Sequence, residues 1–263
     1  MDLLLQGKHV FITGGSQGIG LACAQEFARE GCSLSIVSRD ADRLQEARAL
    51  LDPEGAGRVR TYEANLSDPA DAERVIEEAE RAGGAVDVLV NAAGAARQKP
   101  FAELQPQDWR AAMDAKFFTY INVMDPMIKR MGSRGTGAVV SIIGMGGKIP
   151  ISTHLPGGAA NAALMLATAG LALAYGPLGV RVNALNPTKT ATDRLAHGVE
   201  AEARQSNITT DEALAKAKQA LPLGRLATPQ DIAAAVAFLA SPRAGYISGA
   251  NISVDGGGRP LIV

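Results

Sequence analysis

The chain has 263 residues, with 26 Lys plus Arg against 27 Asp plus Glu, so its formal net charge is −1. That balance argues against a nucleic-acid partner, which needs a clustered basic surface. Hydrophobic residues make up 47% of the chain, enough at this length for a large core without staples. The two cysteines, Cys23 and Cys32, exclude a disulfide framework, and three dispersed histidines (His9, His154, His197) leave no metal site to expect.

No targeting signal is visible: residues 1–7 hold a short Leu run with no basic flank and no cleavage-like site. The most apolar later stretch, 159–175, is Ala- and Gly-rich and carries Asn161 and Thr168. It is slightly short for a membrane span and not apolar enough. A cytoplasmic protein without a membrane partner is expected.

In chain order, the apolar runs predict a strand over 8–13, then a Gly-rich turn and a helix to about residue 29. A second strand follows over 33–37, a helix over 40–51, a strand over 59–63 and a helix over 69–82. Residues 86–90 form an uninterrupted apolar run, as in a strand buried on both faces. A helix is expected over 106–131, a strand over 138–143, the Ala-rich helix over 159–175 and a strand over 180–185. A helix over 231–239 and a short strand over 251–254 close the pattern. Alternating strands and helices with short connections imply one α/β domain over 1–263, a doubly wound parallel sheet. Residues 191–222 are helical in composition but mixed in charge (Arg194, Glu200, Glu202, Arg204, Lys216, Lys218), the expected place for a substrate lid.

The run Thr13-Gly14-Gly15-Ser16-Gln17-Gly18-Ile19-Gly20 follows the first strand and opens the first helix. Glycines there let the backbone approach a pyrophosphate, and the helix N-terminus supplies N–H donors. The second strand ends in Ser38-Arg39, with no carboxylate until Asp40. An acidic residue at this point would hold the ribose 2′-hydroxyl of NAD, whereas Arg accommodates a 2′-phosphate. NADP(H) is therefore expected over NAD(H); the alternative is that Arg39 is only an exposed residue at a helix start.

These motifs resemble those of the short-chain dehydrogenase/reductase family, and the resemblance covers nearly the whole chain. Asn91-Ala92-Ala93-Gly94 is similar to the family's Asn-Asn-Ala-Gly motif, which lines the adenosine side. Asn65-Leu66 falls where the family has an Asp that contacts adenine. Pro187 and Thr188 resemble its Pro-Gly turn, and Thr190 and Thr192 fall where members touch the nicotinamide amide and pyrophosphate. Pro222-Leu223-Gly224-Arg225 and Asp255-Gly256-Gly257 resemble its C-terminal pattern. The resemblance implies a single Rossmann-type domain of about seven strands, a homo-oligomer (dimer or tetramer), and an oxidoreductase for a small-molecule substrate.

The family's four catalytic positions can be located, and all four differ. Gly144 stands at the Ser position, Gly157 at the Tyr position thirteen residues later, Asn161 at the Lys position four further on, and Lys116 at the Asn position. Residues 153–166 hold no Tyr or Lys that a shifted alignment could use. Asn and Lys look exchanged, so Lys116 is a candidate ammonium for the site and Asn161 a ribose contact; alternatively Lys116 is a solvated or interface lysine. His154, three residues before the lost Tyr, is a candidate acid or base, because imidazole titrates near neutral pH; alternatively it is polar lining. Trp109, Phe117 and Phe118 are expected to pack, as are the two cysteines. Two functions stay open: an NADP(H)-dependent oxidoreductase with a substituted active site acting on a carbonyl, alcohol or imine, and a cofactor-binding protein without turnover, serving as sensor or partner subunit.

Overall fold

In the computed structural model, residues 2–94 and 96–259 are described, apart from the side chains of Arg194 and His197. Met1, 260–263 and the Arg194 charge of the expected lid thus lie outside the described residues. The first half alternates β1 (His9–Thr13), α1 (Gly18–Arg29), β2 (Ser33–Ser38), α2 (Ala41–Leu51), β3 (Val59–Glu63), α3 (Pro69–Gly83) and β4 (Val88–Asn91). β1 and β4 are buried at every position, as strands covered on both faces must be. Asp40 and Asp68 accept backbone N–H bonds that start α2 and α3.

The second half contributes α4 (Pro106–Ala112), α5 (Thr119–Arg134), β5 (Gly137–Ile142), α6 (Leu155–Tyr175) and β6 (Val180–Pro187). It ends in α7 (Asp193–Ser206), α8 (Thr210–Gln219), α9 (Pro229–Ala240) and β7 (Asn251–Val254). All pairings are parallel, in the order β3-β2-β1-β4-β5-β6-β7. The strand order reverses between β1 and β4, and a crevice opens there at the C-terminal strand ends. One core lies under α1 and α9, with Val10, Ile12, Phe27, Ile36 and Val236 buried. The other lies under α3 and α5, with Phe11, Leu89, Val123, Ile128 and Val139.

Three expectations change. The helix expected over 106–131 is interrupted between α4 and α5 by a π-helical turn, Met113–Phe118. Gly94 (φ +87°) packs so closely beneath it that a Cβ there would overlap the Ala115 carbonyl oxygen. Trp109 and Phe118 lie on the outer side of this segment, 42% and 44% exposed, rather than in the core. The Ala-rich helix begins at Leu155, not 159, and 155–178 is long and apolar enough by length and composition to cross a membrane. In the fold it buries Ala160, Leu164 and Thr168.

Burial explains three titrating groups away from the crevice. Cys23 and Cys32 are buried fillers as expected; burial pushes the Cys23 thiol well above its ordinary range and Cys32 up to about 12. At the opposite end of the sheet from the crevice, His9 Nδ1–H donates to the Gly84 carbonyl at 2.8 Å, leaving Nε2 to accept the Ser35 hydroxyl at 2.8 Å. Burial, the largest influence, lowers the imidazole pKa from 6.5, against a raising contribution from the Gly84 bond. The folded chain then binds fewer protons at His9 than the unfolded one, so this stability is present above the unfolded pKa and is lost as pH falls through the lower folded value. The urea midpoint is expected to drop between about pH 7.5 and about pH 5, and to drop less in His9→Gln. An equal drop in both proteins would remove His9 from the acid sensitivity.

Candidate active site

The crevice starts at the turn between β1 and α1. Gly14 (φ +68°) runs so close to β4 that a Cβ there would sit 2.9 Å from Ala93 Cα. A Cβ at Gly20 would overlap the Gly14 carbonyl. Thr13 ties this turn to the next loop: its Oγ1 accepts from Ala92 N at 3.0 Å and Ala93 N at 3.1 Å. At the N-terminus of α1, the Gln17 side chain caps nothing and the first turn holds no acidic residue. Free N–H groups and the positive end of the helix dipole therefore face the crevice, as an anion requires. Gln17 Oε1 instead accepts from the Arg43 guanidinium.

One cavity of about 1390 Å³ runs from this turn along the C-terminal strand ends past β5 and β6. It is lined at one end by Gly14, Ser16, Gln17, Gly18, Ile19 and Gly20, and beside them by Ser38, Arg39, Asn65 and Leu66. Ala92, Ala93 and Gly94 form part of one wall; Pro187, Thr188, Thr190 and Thr192 form part of the other. Asn91 differs: it is fully buried in β4, does not line the cavity, and neither amide atom has a hydrogen-bond partner. The glycine cradle and bare helix end fit a dinucleotide pyrophosphate. Arg43 joins Arg39 on the lining, one helical turn further on; its signal in the sequence is the i, i+4 spacing after Arg39.

Lys116, His154 and Asn161 line the same cavity near Gly144. Lys116 is not a solvated lysine: the π-helical turn carries it inward, and it is 7% exposed. Its Nζ donates to the Tyr120 hydroxyl at 2.8 Å and to the Ile142 carbonyl at 3.1 Å. Tyr120 escaped the sequence reading because an aromatic residue at that spacing looks like core. Asn161 is 4% exposed, and its Nδ2 points at the Gly144 carbonyl at 3.5 Å.

His154 ends the loop before α6. Its N–H bonds Ile151 O at 2.8 Å, and its carbonyl accepts from Gly158 N at 2.7 Å, so the backbone is fixed on both sides. The ring lies over Gly157: a Cβ there would overlap imidazole Cε1 and Nε2. Gly146 flanks the same ring, its Cβ position 3.2 Å from His154 Cδ2 and 3.6 Å from Asn161 Nδ2. The imidazole and the Asn161 amide are therefore within about 7 Å of each other. Three glycines, at 144, 146 and 157, leave room for the two side chains.

The lid expected over 191–222 consists of α7 and α8, which share a small core of Val199, Ala203 and Ala213. Glu202 of α7 pairs with Lys189, and Gln205 donates to Ser152 Oγ at 2.9 Å.

The fold and cavity define a doubly wound, dinucleotide-binding α/β protein. A family profile described as Enoyl-(Acyl carrier protein) reductase matches residues 14–258. D-threitol dehydrogenase of Mycolicibacterium smegmatis is 32% identical over 256 residues, 97% of this chain and 94% of that protein. L-sorbose reductase from Gluconobacter frateurii, solved with NADPH and L-sorbose, is 29% identical with a TM-score of 0.90, covering 100% of both chains. A short chain oxidoreductase from Pseudomonas aeruginosa, solved with NADPH and described as containing an atypical catalytic center, is 31% identical with a TM-score of 0.85, over 95% of this chain and 96% of that one. The chain belongs to the short-chain dehydrogenase/reductase family.

Proposed function

We propose that the protein is an NADP(H)-dependent oxidoreductase acting on a carbonyl, alcohol or imine, with His154 in place of the family's tyrosine. The observation that carries this reading is the imidazole seated where a side chain at position 157 would begin. When bound, the cofactor supplies or accepts the hydride. His154 donates a proton to the substrate oxygen or nitrogen during reduction, and takes it back in the reverse direction. Lys116 and the Asn161 amide place positive charge and a hydrogen-bond donor at the same end of the cavity, where negative charge develops on the substrate. A positioned acid of this kind contributes about 10²–10⁴-fold in rate.

The opposite end of the cavity would hold the nucleotide. The turn from Gly15 to Gly20 would offer backbone N–H groups to the pyrophosphate, and Arg39 and Arg43 would meet the 2′-phosphate that distinguishes NADP(H). Calorimetric titration tests this half separately. Arg39→Ala is expected to weaken NADPH binding about 10–100-fold and to leave NADH within about twofold. Equal affinity of the unmutated protein for both cofactors would contradict the assignment.

The second function, a cofactor-binding protein without turnover, draws on the missing side chains at Gly144 and Gly157. It predicts NADPH binding with no carbonyl-dependent oxidation. We further assign the protein to the cytoplasm, and to a homo-oligomer through α6, whose outer face exposes Leu166 and Leu173 at 77% and 82%.

A further inference from the structure

Tyr120, paired with Lys116 at the catalytic end, has no place in the scheme above. Lys116 and Tyr120 stand four residues apart, across the junction between the π-helical turn and α5. Tyr120 is fully buried and does not line the cavity, whereas Lys116 does. The Tyr120 hydroxyl donates to the Ile142 carbonyl at 2.5 Å, and the same carbonyl accepts from Lys116 Nζ at 3.1 Å. Lys116 Nζ also donates to the Tyr120 oxygen at 2.8 Å and stands 4.3 Å from the centre of its ring. Phenol, carbonyl and ammonium therefore close a triangle at the end of β5, two residues before Gly144.

We infer that Tyr120 is a positioning residue that holds the Lys116 ammonium at the catalytic end of the cavity, where the reacting end of the cofactor would lie, so that a Lys-Tyr pair on the helix through α5 supplies the charge that α6 no longer carries at Asn161. A lysine has a flexible stem and a strongly hydrated head, and keeping that head in one place inside the protein needs oxygen acceptors fixed in advance. Tyr120 supplies one of them, and its ring face adds a cation–π contact. Its own bond to Ile142 fixes the phenol against the sheet. Since Tyr120 does not reach the cavity, any effect it has on a ligand passes through Lys116.

The inference rests on the proposed role of Lys116 at the catalytic end, and a double-mutant cycle separates the two. Calorimetry with NADPH would compare the unmutated protein, Tyr120→Phe, Lys116→Met and the double variant. Phe keeps the buried ring, so the fold is expected to survive, with a thermal melt as control. Tyr120→Phe should weaken NADPH about 10-fold, and should have no further effect once Lys116 is Met. Equal weakening in both backgrounds, or none in either, would overturn the inference. An unchanged affinity in Lys116→Met alone would overturn it too, while leaving the proposed reduction by His154 intact. A second readout needs no cofactor. In ¹³C-lysine-labelled protein, the Lys116 side-chain resonance, assigned by its loss in Lys116→Met, should shift in Tyr120→Phe. An unchanged resonance would show that Tyr120 does not hold the ammonium, whether or not NADPH binds.

Discussion

Gly157→Ala is expected to abolish most turnover while leaving the fold and NADPH affinity nearly untouched. The added Cβ would fall inside the His154 imidazole and 2.8 Å from Ala96 Cβ. The imidazole is the end of a side chain and swings away, while the loop that carries Ala96 shifts by a few tenths of an ångström and the helix stays. Displacing a positioned acid costs about 10²–10⁴-fold in kcat. Gly170→Ala on the same helix is the control: a Cβ there meets nothing within 4 Å, and alanine favours a helix by up to about 1 kcal/mol. Steady-state kinetics and NADPH titration of both variants check the pair. Full activity in Gly157→Ala would mean that the imidazole does not act from its place over this residue. The same geometry predicts that Tyr at 157 fails to restore the family's chemistry, because it would expel His154 in doing so.

The largest expected loss of stability lies on the other side of the sheet. Arg181 on β6 reaches the end of α9, where helix carbonyls lack intrahelical partners. Its Nη1 donates to the carbonyls of Leu239 at 2.7 Å, Ala244 at 3.1 Å and Ile247 at 3.3 Å. Its Nη2 donates to those of Ala240 and Ser241, each at 3.0 Å. One planar group thus fastens α9 and the turn after it to the sheet, and α9 in turn packs on α1, which carries the phosphate loop. Arg181→Ala leaves five carbonyls without this donor and should cost roughly 3–5 kcal/mol, a fall in melting temperature on the order of 10 °C. Arg181→Lys should recover little, because an ammonium cannot reach all five acceptors. A melting temperature within a few degrees of the unmutated protein would refute this account of the α9 terminus.

Much of the fold was legible because its signals are local. Runs such as residues 88–90 can only be strands covered on both faces, and Gly14 to Gly20 stand where a strand meets a helix. The spacings between Gly144, Gly157 and Asn161 pointed to the family's catalytic positions even though the residue types differ, and Gly144, Asn161 and Lys116 line one cavity. The parts that were not legible depend on contacts distant in sequence. The π-helical turn that carries Lys116 inward packs on Gly94, more than twenty residues earlier, and no periodicity announces it. Arg43 reads as one more exposed helix charge until β2 and the phosphate loop are brought together. Tyr120 reads as a core aromatic, and Trp109 as another, yet one is fully buried beside an ammonium and the other is 42% exposed. His154 was visible as a candidate, but its seat over Gly157 depends on a missing Cβ, which a sequence shows only as a loss.

The proposed function joins an NADP(H) site to a relocated proton donor. NADPH oxidation measured across a panel of small ketones, aldehydes and imines, with the unmutated protein and His154→Gln side by side, tests it most directly. The account predicts turnover that falls about 10²–10⁴-fold in His154→Gln, with NADPH affinity held within about twofold. NADPH binding without oxidation by any compound, or equal turnover in the two proteins, would contradict it.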